Sequence, residues 1–187
     1  MTKLKAEVIK YSKKLNITNL SALRSGNISV KAKENGVDGF YITPSGMKYS
    51  TLKIKDIVFV SLKGIFDKKK GKPSSEWRFH QEIYVNKKEA KAIVHAHSTC
   101  ATAVSAHQKN IPAFHYMVAV AGGDDLKCTK YATFGTKQLS KNIIKALKDR
   151  SACLIANHGQ VAFGNNLDNA FELAQEIENI CHQYINA

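Results

Sequence analysis

Two histidines one residue apart close an apolar run in Ala92-Ile93-Val94-His95-Ala96-His97-Ser98. In a strand, residues i and i+2 project from the same face, so both imidazoles leave the end of a buried strand together. Held neutral and parallel, they offer two nitrogen lone pairs to a divalent metal, most often zinc. A His-x-His pair alone is equally compatible with one histidine satisfied in the core and the other facing a neighbouring chain. A second apolar run, Ala152-Cys153-Leu154-Ile155-Ala156, stops at Asn157-His158-Gly159. A third histidine at a strand end fits a facial three-histidine site. Glu76, near a helix N-terminus, is a candidate fourth ligand or base. A carboxylate that leaves a metal when substrate arrives is well placed to move a proton. The competing assignment pairs Glu76 with His80, four residues on along the same helical face. His80 could also simply pack beneath the helix. His107, His115 and His182 lie in helical or loop contexts and receive no metal role.

Three turns of small residues offer backbone N–H groups or hydroxyls to an anion: Gly26-Asn27, Ser45-Gly46 and Ser74-Ser75. The last also opens a helix, where phosphate binding is favoured. Each has a plainer reading: a bulge without a ligand at Gly26-Asn27, or serine acting only as a helix cap. Three such turns around one metal site favour a phosphorylated substrate.

The elements that must hold these groups follow from periodicity. Leu4, Val8, Ile9, Tyr11 and Leu15 recur at helical spacing over residues 3–15. Gly26-Asn27 begins an alternating strand that reaches Ala32. Residues 35–39 form a turn before strand Phe40-Tyr41-Ile42. A further strand is expected over 57–62, followed by a basic loop containing Lys68-Lys69-Lys70 and Lys72. The stretch Pro73-Ser74-Ser75-Glu76 opens a helix to about Lys87, with serine as cap and glutamate suiting the helix dipole. The histidine strand and a short helix over 99–107 come next. Phe114-His115-Tyr116-Met117-Val118-Ala119 runs towards Gly122-Gly123. Thr136 caps a helix reaching Lys148, residues 152–156 and 161–164 form a strand and its return, and a last helix spans 167–184. Strands interleaved with helices, some joined by short turns, indicate one α/β domain over residues 1–187 with a mixed sheet.

Composition bounds the rest. The 187 residues suffice for one domain with a substantial core. No apolar run approaches the roughly 20 residues that span a bilayer, and the charged start Met1-Thr2-Lys3-Leu4-Lys5 lacks a signal-peptide core, so a cytoplasmic protein is expected. The four cysteines are dispersed, which argues for reduced thiols, with Cys153 in the core. The net charge is +13, which could draw nucleic acid, a membrane surface or an anionic substrate. The lysines are scattered, and no nucleic-acid-binding motif accompanies them, so neither nucleic acid nor membrane is the expected partner.

The sequence resembles the class II aldolase/adducin family. The resemblance rests on Gly-Asn-Ile-Ser-Val (26–30), Ile-Thr-Pro-Ser-Gly (42–46), Pro-Ser-Ser-Glu-Trp-Arg-Phe-His (73–80) and Val-His-Ala-His (94–97). It continues in His-Tyr-Met (115–117), Tyr-Ala-Thr-Phe-Gly-Thr (131–136) and Asn-His-Gly (157–159). Their order covers nearly the whole chain. The resemblance implies a three-layer α/β/α fold with a mainly antiparallel sheet, usually in a cyclic homotetramer. It implies zinc, one per chain, on His95, His97 and His158, with Glu76 alternating between ligand and base. It implies a substrate phosphate at Gly26, Asn27, Ser45, Gly46, Ser74 and Ser75. Tyr116 would reach a neighbouring subunit's site and handle the proton at the aldehyde oxygen, and Phe134 would shape the aldehyde pocket.

The implied reaction is reversible cleavage of a ketose 1-phosphate, such as L-fuculose 1-phosphate, to dihydroxyacetone phosphate and a small aldehyde such as L-lactaldehyde. A divalent ion suits it, because the enediolate can then be stabilised without a Schiff-base lysine. A sister activity on 5-deoxyribulose or methylthioribulose 1-phosphate would use the same groups. A ribulose-phosphate 4-epimerase is disfavoured, since such relatives typically carry Asp where Glu76 stands. A non-enzymatic adducin-like scaffold is expected to have lost metal ligands, and the full set is present. Fuculose-type members generally carry a tail beyond the last helix with a tyrosine that closes the site. This sequence stops at Ala187, and Tyr184, inside the helix, is not assigned that role.

Overall fold

The computed structural model describes Met1–Ala187. The elements are α1 (Thr2–Ile17), β1 (Asn27–Glu34), β2 (Val37–Ile42), β3 (Val58–Ser61), α2 (Trp77–Asn86), β4 (Ala92–Ala96) and α3 (Thr99–Ser105). A 3-10 helix follows at Tyr116–Ala121, then α4 (Lys137–Ala146), β5 (Ala152–Ile155), β6 (Gly159–Gly164) and α5 (Leu167–Asn186). One sheet runs in the order β3-β2-β1-β4-β6-β5, and every ladder in it is antiparallel. The expected mainly antiparallel sheet is found, with parallel pairing confined to one isolated bridge between Cys128 and Leu154.

Both faces of the sheet are covered, which gives the three layers. Val8, Tyr11 and Leu15 of α1 and Phe171, Ala174 and Ile177 of α5 pack with Ile28, Val94 and Leu154 on one face. Phe79 and Ile83 of α2 and Leu139 and Ile143 of α4 pack with Phe40, Ile93 and Val161 on the other. Successive residues of β4 therefore enter opposite cores, Ile93 one and Val94 the other. This is why the run before His95 is continuously apolar rather than alternating. Each fully buried Ile or Val here contributes roughly 1.5–3 kcal/mol, so the strand end that carries the histidines is held rigidly.

Several boundaries differ from the sequence reading. Helix α2 begins at Trp77 rather than at the serines. Glu76 is its N-cap residue and makes no side-chain cap bond; Ser74 Oγ instead accepts from the Glu76 N–H at 3.3 Å. The serines lie before the helix because Ser74 N–H is drawn to the Thr43 carbonyl (3.0 Å) and Pro73 bridges Pro44. Helix α3 stops at Ser105 and α4 at Ala146, each short of the expected end. Thr136 does cap α4, accepting from the Leu139 N–H at 3.2 Å. All four cysteines are free, and Cys153 is fully buried. No helix is long and apolar enough to cross a membrane.

Candidate metal centre

The central position of β4 between β1 and β6 assembles the site. Antiparallel register sets His95 opposite Asn27 on one side and opposite Val161 on the other. The turn between β5 and β6 brings Asn157-His158-Gly159 back against the end of β4. It does so tightly: a Cβ on Gly159 would sit 2.4 Å from the Ala96 carbonyl, so only glycine fits there. Gly26 plays the same part on the other side. Its φ is +73°, and a Cβ would stand 2.6 Å from both the His95 carbonyl and Ser21 Oγ. The close approach at Gly26 is thus to the histidine strand itself.

Glu76, His95, His97 and His158 each bring one ligand atom into a group in which all such atoms lie within 4.8 Å of one another. The three imidazole centroids stand 4.7–4.8 Å apart, pairwise. His95 is fully buried and edge-on to Phe79 at 5.4 Å. Its Nδ1 lies 2.7 Å from the Gln160 carbonyl oxygen, which can only accept, so Nδ1 carries the proton. Its Nε2 therefore faces inward, 2.9 Å from His97 Nε2 and 3.0 Å from Glu76 Oε2. A nitrogen lone pair and a carboxylate oxygen this close repel unless a proton or a metal ion is shared between them. The other carboxylate oxygen, Oε1, is buried with no hydrogen-bond partner, although His158 Nε2 is 3.4 Å away. A donor set of three neutral imidazoles and one carboxylate, with one orphaned oxygen, fits a divalent ion of the zinc type.

The electrostatics agree. Burial alone would raise the Glu76 pKa, but His95, with His158 and His97 beyond it, holds the carboxyl well below the usual range. Burial, then the proximity of His95 and His158, which would make a second positive imidazole costly, lowers His97 to about 3. Burial and His95 lower His158 to about 4. Both imidazoles are therefore neutral, the ligating form, at physiological pH.

The anticipated anion turns converge beside this group. Ser45 N–H bonds the Lys72 carbonyl at 3.0 Å, and Arg24 Nη1 donates to the Gly46 carbonyl at 3.3 Å, so the 24–27, 43–46 and 72–75 turns are neighbours. Ser75 and Gly46 are exposed and Ser74 is buried. Asn27 departs from the expectation. Its side chain is buried and turned inward, with Nδ2 donating to Glu76 Oε2 at 3.1 Å and Oδ1 2.5 Å from His80 Nε2. Glu76 and His80 consequently do not pair directly; Asn27 stands between them. Phe134 is 63% exposed, next to Gly135, whose Cβ would come within 2.9 Å of the Ser75 carbonyl. Tyr116 opens the 3-10 helix, rests on His115 at 4.7 Å and is 79% exposed, with no hydrogen bond from its hydroxyl within its own chain.

Three supporting residues escaped the sequence reading. Gln160 orients His95 through its carbonyl and anchors its own side chain on Ser98 Oγ (2.8 Å) and the Ala174 carbonyl (2.9 Å). Ser21 Oγ accepts from the His97 N–H at 2.9 Å, and Ser105 Oγ from the His158 N–H at 3.3 Å. Only Gln160 left a trace, as an amide within the otherwise apolar run Gly159-Gln160-Val161-Ala162-Phe163.

Residues 6–185 match the profile of the class II aldolase and adducin N-terminal domain. A 5-methylthioribulose-1-phosphate/5-deoxyribulose-1-phosphate aldolase of Rhodospirillum rubrum is 41% identical over 181 residues, covering 97% of this chain and 80% of that protein. An L-fuculose phosphate aldolase of Escherichia coli K12 is 41% identical over 183 residues, covering 98% and 83%. A solved structure of an L-fuculose 1-phosphate aldolase superposes with a TM-score of 0.92 at 40% identity, covering 99% of this chain and 86% of that one.

Proposed function

The chain belongs to the class II aldolase and adducin family and is a metal-dependent aldolase, and from that premise we propose that it cleaves an L-fuculose 1-phosphate-like ketose 1-phosphate reversibly to dihydroxyacetone phosphate and a small aldehyde. The observation that carries this reading is the meeting of Glu76, His95, His97 and His158 within 4.8 Å, beside the Ser74-Ser75 turn. These four residues would hold zinc, which as a Lewis acid draws electron density from the ketose carbonyl.

The chain's own groups do the rest. The turns of Gly26, Ser45, Gly46, Ser74 and Ser75 receive the phosphate, with Gly46 and Ser75 at the exposed rim and the buried Ser74 offering its hydroxyl hydrogen, and this fixes the reacting carbons relative to Glu76. Asn27 serves that cradle by anchoring the Gly26 turn to the sheet, since its backbone pairs with His95 and its amide is occupied with Glu76 and His80. In cleavage, Tyr116 of an adjoining subunit takes the proton from the C4 hydroxyl as the C3–C4 bond breaks. Tyr116 passes that proton on to solvent, and Glu76 takes one up in its place and delivers it to C3 of the three-carbon fragment, so that one proton moves from the C4 hydroxyl to C3 overall. In the reverse direction Glu76 removes the C3 proton and Tyr116 returns one to the aldehyde oxygen. Phe134 lines the aldehyde side. We place the enzyme in the cytoplasm, as a homotetramer with its sites at the subunit interfaces.

A second reading has equal support from identity: a 5-deoxyribulose or methylthioribulose 1-phosphate substrate, as named for the Rhodospirillum relative at the same 41%. The two differ only in the aldehyde portion. Steady-state aldehyde release from a panel of ketose 1-phosphates separates them by kcat/KM. Cleavage of none of the panel by the metal-loaded protein would overturn the aldolase substrate assignment altogether.

A further inference from the structure

A buried file of polar side chains runs from α2 across β1 to Glu76. Tyr84 Oη lies 2.8 Å from Ser29 Oγ, and Ser29 Oγ lies 2.7 Å from His80 Nδ1. His80 Nε2 is 2.5 Å from Asn27 Oδ1, and Asn27 Nδ2 is 3.1 Å from Glu76 Oε2. His80 and Ser29 are fully buried, and Tyr84 and Asn27 are each 2% exposed. Phe79 and Phe40 stack on the His80 ring at 4.6 and 6.4 Å, so the imidazole has no room to turn.

The directions of these bonds are determined by the end at Glu76. An ionised carboxylate only accepts, so the Asn27 amide must present its NH2 to Glu76 and its oxygen to His80. That oxygen also only accepts, so His80 must carry its proton on Nε2. Its Nδ1 is then a lone pair, and the Ser29 hydroxyl must donate to it. With its hydrogen so used, Ser29 Oγ can only accept from the Tyr84 hydroxyl. The reverse sense would set the Asn27 carbonyl against the carboxylate, two acceptors in contact inside the protein.

We propose that His80 is a positioning residue: as its Nε2–H tautomer, it locks the Asn27 amide so that Glu76 Oε2 is held and Oε1 is left free to carry the proton. This rests on the assignment of Glu76 as the proton-transferring carboxylate. The fixed oxygen already meets Asn27 and His95, whereas Oε1 has no hydrogen bond. One oxygen thus serves geometry and the other remains available for chemistry. Such outer residues commonly carry 10–100-fold of activity.

The test has one arm that does not depend on turnover. Ring 15N chemical shifts of His80 in the isotopically labelled, full-length protein at pH 7 report which nitrogen bears hydrogen. The proton is expected on Nε2 alone; a proton on Nδ1, or on both nitrogens, overturns the proposal even if the enzyme is active. The second arm compares His80→Gln, which keeps a donor towards Asn27, with His80→Leu, which has none. At matched metal content, His80→Leu should lose about tenfold or more in kcat with KM within about twofold, and His80→Gln should recover most of the loss. Equal kcat for the two variants, or losses that follow melting temperature rather than the donor, overturns it. Tyr84→Phe covers the case in which His80→Leu does not fold. It removes one remote hydroxyl and should lower kcat by a few-fold, with KM unchanged and the Nε2–H tautomer less fixed; no change in either overturns the proposal. An inactive unaltered enzyme with the Nε2–H tautomer in place would reject the substrate assignment and leave this arrangement standing.

Discussion

The carbonyl oxygen of Gln160 lies 2.7 Å from Nδ1 of His95, and this contact decides which nitrogen of His95 points at Glu76. Because β4 and β6 pair with Ala96 opposite Gln160, the contact belongs to the sheet ladder and not to a mobile loop. The inward lone pair of His95 is therefore as rigid as the sheet. It is the kind of outer contact that sets the tautomer of a metal-ligating histidine.

The first prediction is that the purified protein holds about one divalent ion per chain. His95→Ala and His158→Ala should each lose both metal and turnover, by elemental analysis and aldehyde release. Full metal content in both variants would end the assignment of the site.

Ser75 separates phosphate binding from chemistry. It is exposed at the cradle, and its hydroxyl makes no hydrogen bond to the four clustered ligands. Ser75→Leu should raise KM for phosphorylated ketoses about tenfold or more while changing kcat little, the pattern of lost ground-state binding. If the unaltered enzyme used unphosphorylated sugars equally well, the cradle would have no function to lose.

Acid should weaken the metal-free protein. The folded pKa values of His97 (about 3), His158 (about 4) and His80 (about 3) all lie below the ordinary histidine value. Burial is the first cause in each. For a lowered histidine the unfolded chain binds the proton first, so the stability contribution is complete above about pH 6.5. It is lost as pH falls towards 4 and then 3. Glu76, also lowered, acts in the same direction below the ordinary carboxylate range. Urea unfolding of chelator-treated protein should show a steady loss of stability from pH 6.5 to 4. A flat or rising stability over that interval would contradict the neutral state of these imidazoles.

Gly26 should tolerate no side chain. Gly26→Ala places a Cβ 2.6 Å from the His95 carbonyl at a φ of +73°. The backbone conformation alone costs about 1–2 kcal/mol, and the contact forces β1 away from β4. A melting temperature lower by several degrees and weakened metal retention are expected. An unchanged melting temperature would show that the β1–β4 contact yields easily.

The parts of the site legible in the sequence were those carried within one strand or one strand end. His95, His97 and His158 could be found because apolar runs stop at them, and Glu76 because it stands at the start of a helix. The partners of those groups were not legible. Asn27 reaches Glu76 only because β1 pairs with β4 across 68 residues of chain; Ser21 supports His97 by its hydroxyl on a backbone N–H, and Gln160 supports His95 by its backbone carbonyl, contacts that sequence spacing does not mark. The start of α2 was misplaced for a related reason. A serine before a helix reads as its cap, yet Ser74 is pulled into the Thr43 turn by a contact 31 residues away. Local chemistry marks ligands; their orientation is written in the register of the sheet.

The last prediction concerns Tyr116. Its ring is 79% exposed at the start of the 3-10 helix, where a phenol that served only the core would be covered. As the group exchanging a proton with the aldehyde oxygen, its loss in Tyr116→Phe should cost about 100-fold or more in kcat. Fold and metal content should survive, because a single exposed oxygen is removed. If the phenol serves the site of an adjoining subunit, each active site combines Glu76 from one chain with Tyr116 from another. Inactive Tyr116→Phe chains mixed with inactive Glu76→Gln chains should then regain activity, since some hybrid sites hold both intact groups. Subunit exchange is confirmed first, by native mass spectrometry of differently tagged chains, and aldehyde release is measured afterwards. Confirmed hybrids without recovered turnover would place the phenol in its own chain's site, and a fully active Tyr116→Phe would remove it from the proton path.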